Sequence, residues 1–333
     1  TTLGLIAMLL ASPLSGQQKK ILVTGVSAEG LQELREAAPQ ARIVAAERDS
    51  LMREITDADA IIGTISPELV RAGKKLQWVQ IGSAGVERYL HLSEPDLRDS
   101  GITLTNAKII QGPEIADHAF ALLLTITRGI TRTLPAQMKG EWRRDTGGLV
   151  ELNGKTAVVV GVGGIGTQIA VRAKAFGMRV IGVDPKDLPY APHLDQVVKP
   201  DRIDEVIREA DVLFMAAPHT PKSDKMIGPR QFESMKQGAY FVAVSRGRTY
   251  DMDALVKALD SKRLAGAGVD VTDPEPLPDG HPLWEFPNVV ITPHIAGGSD
   301  QIGRRRMELY KENVRRFVAG EPLLNVVDKR KGY

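Results

Sequence analysis

Val158-Val159-Val160-Gly161-Val162-Gly163-Gly164-Ile165-Gly166 is the stretch whose reading decides the fold. A β-branched run, then G-x-G-x-x-G, then a helical pattern is the signature of a strand–turn–helix unit that cradles a pyrophosphate. Gly161 permits the tight turn, Gly163 lets backbone approach a diphosphate, and Gly166 lets the helix pack closely on its sheet. A helix opening at Gly164 and Ile165 presents unpaired N–H groups and a positive dipole end to the phosphates. Alone, the motif is weak in a chain with 32 glycines. Asp184, eighteen residues beyond Gly166 at the end of the next β-branched run, strengthens it. A carboxylate there accepts hydrogen bonds from a ribose diol and repels a 2′-phosphate, so NAD is expected over NADP. Lys186, two residues on, leaves room for relaxed choice.

From this stretch the same rhythm runs in both directions. Strands are expected at 156–160, 179–183, 212–216, 240–244, 267–271 and 289–292, with helical patterns between them, which is a doubly wound dinucleotide fold. Upstream, strands at 21–24, 42–45, 60–63 and 77–81 form a smaller α/β unit running to about Asn106. Because the glycine motif begins mid-chain, both ends are left for the other unit. The expected architecture is therefore two parallel-sheet α/β domains. A Rossmann domain, 108–297, is inserted into a flavodoxin-like substrate domain made of 19–107 and 298–333. Pro113 opens a helix whose body, 116–128, is apolar almost all round. Such a helix needs burial on more than one side, between domains or against a second subunit, and a homodimer is expected on that ground. Met307, Tyr310, Val314 and Phe317 recur at helical spacing until Gly320 ends the last helix.

Composition narrows the function classes. Of 333 residues, 43% are hydrophobic and 25% charged, and the formal charge is +2. That is an ordinary globular balance with no field to attract nucleic acid or anionic lipid. The runs Arg304-Arg305-Arg306 and Lys329-Arg330-Lys331 read as a solvated helix face and a chain end. The absence of cysteine excludes a disulfide framework, a thiolate nucleophile and a Cys-based zinc site, and no metal is expected. Residues 1–18 carry an apolar run, Leu3 to Leu10, too short to span a bilayer as a helix. It suits the h-region of a secretory signal but lacks a basic n-region, and reads equally as an apolar extension packed on the domain. The expected location is cytoplasmic, or exported or periplasmic if the leader is a signal; stable membrane insertion is not expected.

Four further motifs fall in order: Ala116-Asp117-His118-Ala119, Ser245-Arg246-Gly247, Gly268-Val269-Asp270-Val271-Thr272-Asp273-Pro274-Glu275-Pro276, and Pro293-His294-Ile295-Ala296-Gly297. With the glycine motif, they make residues 20–327 resemble the D-isomer-specific 2-hydroxyacid dehydrogenases, which include phosphoglycerate, glyoxylate/hydroxypyruvate and D-lactate dehydrogenases. The resemblance implies NAD-dependent hydride transfer between nicotinamide and C2 of a small D-2-hydroxy or 2-keto acid. It implies Arg246, Glu275 and His294 as the catalytic trio, and the chemistry fits. Arg246 offers a planar fork for a carboxylate, and His294 is an acid/base suited to neutral pH. Glu275 would stabilise the imidazolium. Each alone has a plainer reading, as a loop histidine, a helix cap and a solvated acid; their joint placement at three successive strand ends favours the chemical one.

The resemblance also implies that backbone N–H groups of Ser83, Ala84 and Gly85 hold the substrate carboxylate. It places Pro218 and Thr220 on the adenine and phosphate side, Ser245 among the cofactor contacts, and Asp270 facing the nicotinamide carboxamide. His118 is expected to be a satisfied core or interface residue. The chain departs from the pattern at Ala243, where many members carry Asn, and at Thr272, which replaces a common aromatic. The chain as given stops at 333 without a regulatory domain, which argues against the longer phosphoglycerate dehydrogenases. Two rival readings stand beside this one. A formate or phosphite dehydrogenase of the same fold is the first, although Glu275 in place of Gln speaks against formate. An NAD-sensing, corepressor-like binding protein is the second. The acid itself is not named by the residues at 62–64 and 83–85.

Overall fold

The computed structural model describes residues 18–90, 97–188 and 191–333. Apart from Gln18, the apolar leader lies outside them. Two sheets organise the chain. The first comprises β1 (Lys20–Val23), β2 (Arg42–Ala45), β3 (Ala60–Ile62), β4 (Trp78–Gln80) and β5 (Thr103–Thr105), in the order β2-β1-β3-β4-β5. The second comprises β6 (Thr156–Val160), β7 (Arg179–Val183), β8 (Gln196–Val198), β9 (Val212–Met215), β10 (Ala239–Ala243), β11 (Leu264–Val269) and β12 (Val289–Ile291). Its order is β12-β11-β10-β9-β6-β7-β8. Every strand pairing in both sheets is parallel. The first order is the flavodoxin-like one and the second the dinucleotide-binding one, so the expected fold class holds. Two strands escaped the sequence reading, β5 and β8. Each is a three-residue edge strand that includes polar residues (Thr103, Thr105, Gln196), so neither shows the all-apolar run that marks the equally short β12.

Parallel strands buried on both faces read as continuous apolar runs, and β6 (Thr-Ala-Val-Val-Val) is buried throughout. The helix Gly112–Thr127 lies across this sheet beside the helix Gly164–Ala175. It buries Ile115, Ala119, Phe120 and Leu123 against Ile169, Ala170, Ala173 and Phe214. It comes close because the sheet yields to it: a Cβ on Gly268 would stand 2.6 Å from Leu122, and one on Gly266 2.6 Å from Ile126. One chain thus covers most of the helix. Five of the exposed large apolar side chains follow just beyond it in the chain, Ile130, Leu134, Met138 (83% exposed), Trp142 (89%) and Leu149.

After β12 the chain returns to the first sheet. In the helix Ile302–Ala319, Tyr310, Val314 and Phe317 share a core with Ile21, Val23, Ile62 and Trp78. The Trp78 and Phe317 ring centroids are 5.1 Å apart. Gly320 closes the helix in the left-handed region at φ 71°. Buried Asn313 donates to Gln80 Oε1 (2.8 Å) and accepts from Leu324 N (2.7 Å). Val326 then bridges Thr105 in the antiparallel sense. The two basic runs are not simply solvated. Lys329 Nζ donates to the carbonyls of Leu97, Ser100 and Ile102 at 2.9, 2.7 and 2.9 Å, and Arg305 Nη2 meets the buried Glu114 carboxylate at 2.5 Å. Among the described residues, no helix is long and apolar enough to cross a membrane, and no group of acids and histidines has the form of a metal site.

Candidate active site

The glycine turn behaves as backbone geometry demands. Gly161 sits at φ 87°, and a Cβ on it would meet Ala217 backbone at 2.5 Å. A Cβ on Gly166 would stand 1.9 Å from Gly161 O, so the helix packs on the turn only without one. Gly163 caps the helix without a side-chain hydrogen bond, and a Cβ there would meet nothing within 4 Å. The space before the helix N-terminus is open, as an approaching diphosphate requires. Gly164 answers a constraint the sequence does not reveal, since its Cβ would lie 2.4 Å from Ile109 Cα in the segment crossing from the first sheet.

Asp184, 7% exposed, fixes its carboxylate by accepting from Val162 N and Lys186 N, each at 2.8 Å. Open helix end and strand-end acid together fit a dinucleotide. Pro218 and Thr220 form a tight turn past β9. In it Ser223 Oγ donates to Pro218 O (2.6 Å) and accepts from Thr220 N (2.8 Å). Ser245 is buried just past β10.

Three successive strands of the second sheet deliver the three side chains expected to do chemistry. Arg246 follows β10, Glu275 follows β11, and His294 follows β12. His294 Nδ1 and Glu275 Oε2 are 2.9 Å apart, with side chains 44% and 38% exposed. Glu275 Oε1 accepts from Thr272 N at 3.1 Å, and Thr272 Oγ1 donates to Pro274 O at 2.8 Å. The threonine that departs from the family pattern is thus part of the turn holding Glu275. His294 takes a left-handed backbone, φ 54°, a conformation uncommon outside glycine.

Buried Asp270 fixes the turn that carries His294. It accepts from Thr292 Oγ1 (2.6 Å), Ile295 N (2.9 Å) and Ala296 N (3.0 Å). His118 Nε2 meets Thr292 Oγ1 at 2.8 Å, behind the site. Asp270 therefore serves as the anchor of a loop, a task its sequence position does not announce.

The first sheet closes the other side. A cleft of about 1410 Å³ is lined by Thr64, Ser83 and Gly85 from one unit and Arg246, Glu275 and His294 from the other. Ser83 Oγ donates to Gly85 O (2.8 Å), and Asn106 Nδ2 donates to Ala84 O (2.6 Å), shaping the loop after β4. A Cβ on Gly85 would stand 1.7 Å from Arg246 Nη2. Arg246 Nη1 donates to Ser245 O (2.7 Å), and Nε meets Glu87 Oε1 at 3.1 Å. The sequence reading gave Glu87 no role. Its only signal is an acid two residues past Ser-Ala-Gly, common in any loop.

The family model described as "D-isomer specific 2-hydroxyacid dehydrogenase, NAD binding domain" matches residues 120–296. A glyoxylate reductase from Korarchaeum cryptofilum is 32% identical over 304 residues, covering 89% of this chain and 88% of the relative. A D-3-phosphoglycerate dehydrogenase from Methanocaldococcus jannaschii is 31% identical over 317 residues, but the chain spans only 59% of its length. Among solved structures, a D-isomer specific 2-hydroxyacid dehydrogenase family protein from Aeromonas salmonicida superposes with a TM-score of 0.79 at 29% identity, covering 94% of this chain and 100% of that one. A D-isomer specific 2-hydroxyacid dehydrogenase from Xanthobacter autotrophicus, solved with NADPH and MES, gives 0.80 at 25% identity, covering 95% and 99%.

Proposed function

This chain belongs to the D-isomer-specific 2-hydroxyacid dehydrogenase family, and on that premise we propose that it moves a hydride between NAD and C2 of a small D-2-hydroxy or 2-keto acid. The observation that carries this reading is the 2.9 Å His294–Glu275 pair facing the same cleft as Arg246. In it, residues 108–297 hold the dinucleotide, while 19–107 and 298–333 cover the substrate. Gly161, Gly163, Gly164, Ile165 and Gly166 hold the pyrophosphate, with Asp184 at the ribose and Pro218, Thr220, Ser245 and Asp270 along the rest.

The bound nicotinamide supplies the hydride, or takes it back in the oxidation direction. Arg246 and the N–H groups at 83–85 orient the substrate carboxylate. Glu275 occupies His294 Nδ1, so Nε2 is the nitrogen free to protonate the carbonyl oxygen. The Glu275 carboxylate, 2.9 Å from Nδ1, fixes the ring so that Nε2 faces the cleft for this proton transfer. In the reverse direction the same nitrogen removes the hydroxyl proton. Glu87 acts through Arg246 by holding its Nε edge. Glyoxylate, pyruvate, hydroxypyruvate and phenylpyruvate assayed with NADH test the whole reading. NADH-dependent assembly with no turnover of any 2-keto acid would replace it with a sensing role.

NADH should outperform NADPH, because the fixed Asp184 carboxylate would face the 2′-phosphate in a partly desolvated pocket. Asp184→Ala should narrow the ratio of kcat/KM values roughly tenfold, about 1.4 kcal/mol, within what two like charges near a protein surface impose on each other. Equal use of both cofactors by the parent protein would overturn the assignment.

The exposed residues Ile130, Leu134, Met138, Trp142 and Leu149 support a homodimer better than the already covered helix before them. A patch of this kind on a soluble protein marks an association surface. Leu134→Glu combined with Met138→Glu should turn a sedimenting dimer into a monomer. A stable parent monomer at micromolar concentration would remove the proposal.

A further inference from the structure

Arg306 stands apart from the other cations of the last helix. Arg305 pairs with Glu114, Arg304 Nε donates to Gln301 Oε1 (3.3 Å), and Lys311 neutralises Glu33 and Glu308 at 2.9 Å each. Arg306 makes no hydrogen bond or ion pair among the described residues, and its Nε is fully buried without a partner. A buried N–H left without an acceptor is costly. Arg306 borders a cavity of about 440 Å³ that also includes Thr24, Gly25, Glu29 and Tyr310. Thr24, Gly25 and Tyr310 line the larger cleft too, so the two spaces adjoin with these residues common to both. Glu29 lines the same cavity, but among the described residues no ion pair joins it to Arg306.

The loop after β4 links this cation to the chemistry. A Cβ on Gly82 would stand 2.9 Å from the Tyr310 hydroxyl and 3.5 Å from Arg306 Nε, while Gly85 abuts Arg246. The two guanidinium groups thus flank one loop whose ends, three residues apart, can be separated by no more than about 11 Å. Burial pushes the Tyr310 hydroxyl up to about 12, against the opposing pull of Arg306, so at neutral pH it is an uncharged donor. The Tyr310 hydroxyl at the cleft and the Arg306 guanidinium in the adjoining cavity thus form a donor pair with no acceptor among the described residues.

We propose that Arg306 binds a second anionic group, carboxylate or phosphate, at the far end of the substrate, so that the preferred substrates are dianionic 2-keto and 2-hydroxy acids. This rests on the dehydrogenase reading above. In it, Arg246 takes the carboxylate next to the reacting carbon, and Arg306, with Tyr310, takes the distal group and sets specificity.

The test compares paired probes with NADH. They are 2-oxoglutarate against 2-oxovalerate for a distal carboxylate, and 3-phosphohydroxypyruvate against hydroxypyruvate for a phosphate. At least one probe with the second anionic group should exceed its monoanionic counterpart in kcat/KM by about ten- to hundredfold, the span of a hydrogen bond to a charged group; the pair that shows it identifies the anion. Arg306→Gln should erase that preference and leave the monoanionic substrate within about twofold of parent, which also certifies folding. Arg306→Lys should keep part of it. Calorimetric binding of D-2-hydroxyglutarate and D-2-hydroxyvalerate to the NADH complex, which cannot oxidise them, should show the same order for a distal carboxylate. A parent enzyme with no preference for the second anionic group in either pair, or an Arg306→Gln loss equal for both members, would overturn the inference alone. Turnover of no keto acid would take it down with the dehydrogenase reading.

Discussion

His294→Ala should lower 2-keto acid reduction by about 10²–10⁴-fold, the usual contribution of a positioned general acid, while NADH binding stays near the parent value. The expectation follows from its contacts. Nδ1 is spent on Glu275 at 2.9 Å, and the ring reaches into the cleft from the loop after β12, away from the glycine turn. The backbone at His294 is left-handed, so alanine could also disturb the loop. Asparagine tolerates that conformation better and should show the same loss, which separates missing proton transfer from altered geometry. Stopped turnover with unchanged quenching of NADH fluorescence is the expected pair of readings. Near-parent turnover in either variant would remove His294 from the chemistry. Glu275→Gln should cost less, about five- to tenfold in kcat, because the amide can still accept from Nδ1 but replaces a charged acceptor with a neutral one. An unchanged kcat would leave Glu275 a merely structural neighbour.

Arg246→Gln should cost about 10²–10⁴-fold in kcat/KM for keto acids, the combined range of two charge-assisted hydrogen bonds. The guanidinium is already oriented before any substrate arrives. Ser245 O holds Nη1, Glu87 holds Nε, and Gly85 leaves room for Nη2. Such a fork is prepared for a planar carboxylate, and Arg246→Lys should restore little of the loss because an ammonium lacks that geometry. Glu87→Gln should show a smaller effect of the same kind, raising KM more than it lowers kcat. An Arg246→Gln protein with parental KM and kcat would mean the carboxylate is held by the loop alone.

Sequence reading found the strands that are written as apolar runs, down to the three-residue β3 (Ala-Ile-Ile) and β12 (Val-Val-Ile). β5 and β8 are equally short but carry Thr103, Thr105 and Gln196, so they leave no such run. The candidate trio was named through the family's motifs, each just past a readable strand. The contacts around it were not legible. Glu87 reaches Arg246 across the cleft, and Asp270 collects N–H groups from a turn twenty-five residues on. The requirement for Gly164 comes from Ile109, in the segment entering from the other sheet. Arg306 was misread for the same reason. Within Arg304-Arg305-Arg306 the three look alike in sequence, and only the packed helix distinguishes one bound to Gln301, one bound to Glu114 and one with no partner among the described residues. Periodicity records which face is buried; it does not record what a side chain meets there.

The return of the last helix to the first sheet bears on the order in which the protein can be assembled. Trp78, Ile21 and Ile62 leave the ribosome before any strand of the second sheet, yet the helix that covers them, with Tyr310, Val314 and Phe317, follows only after that whole sheet. Between those moments the seven-stranded unit can complete itself, since its strands and the helix Gly112–Thr127 come from one continuous stretch. The five-stranded sheet must wait with an apolar face open, in a nascent chain synthesised at about 5–20 residues per second. That waiting face is where a holding chaperone would gain most.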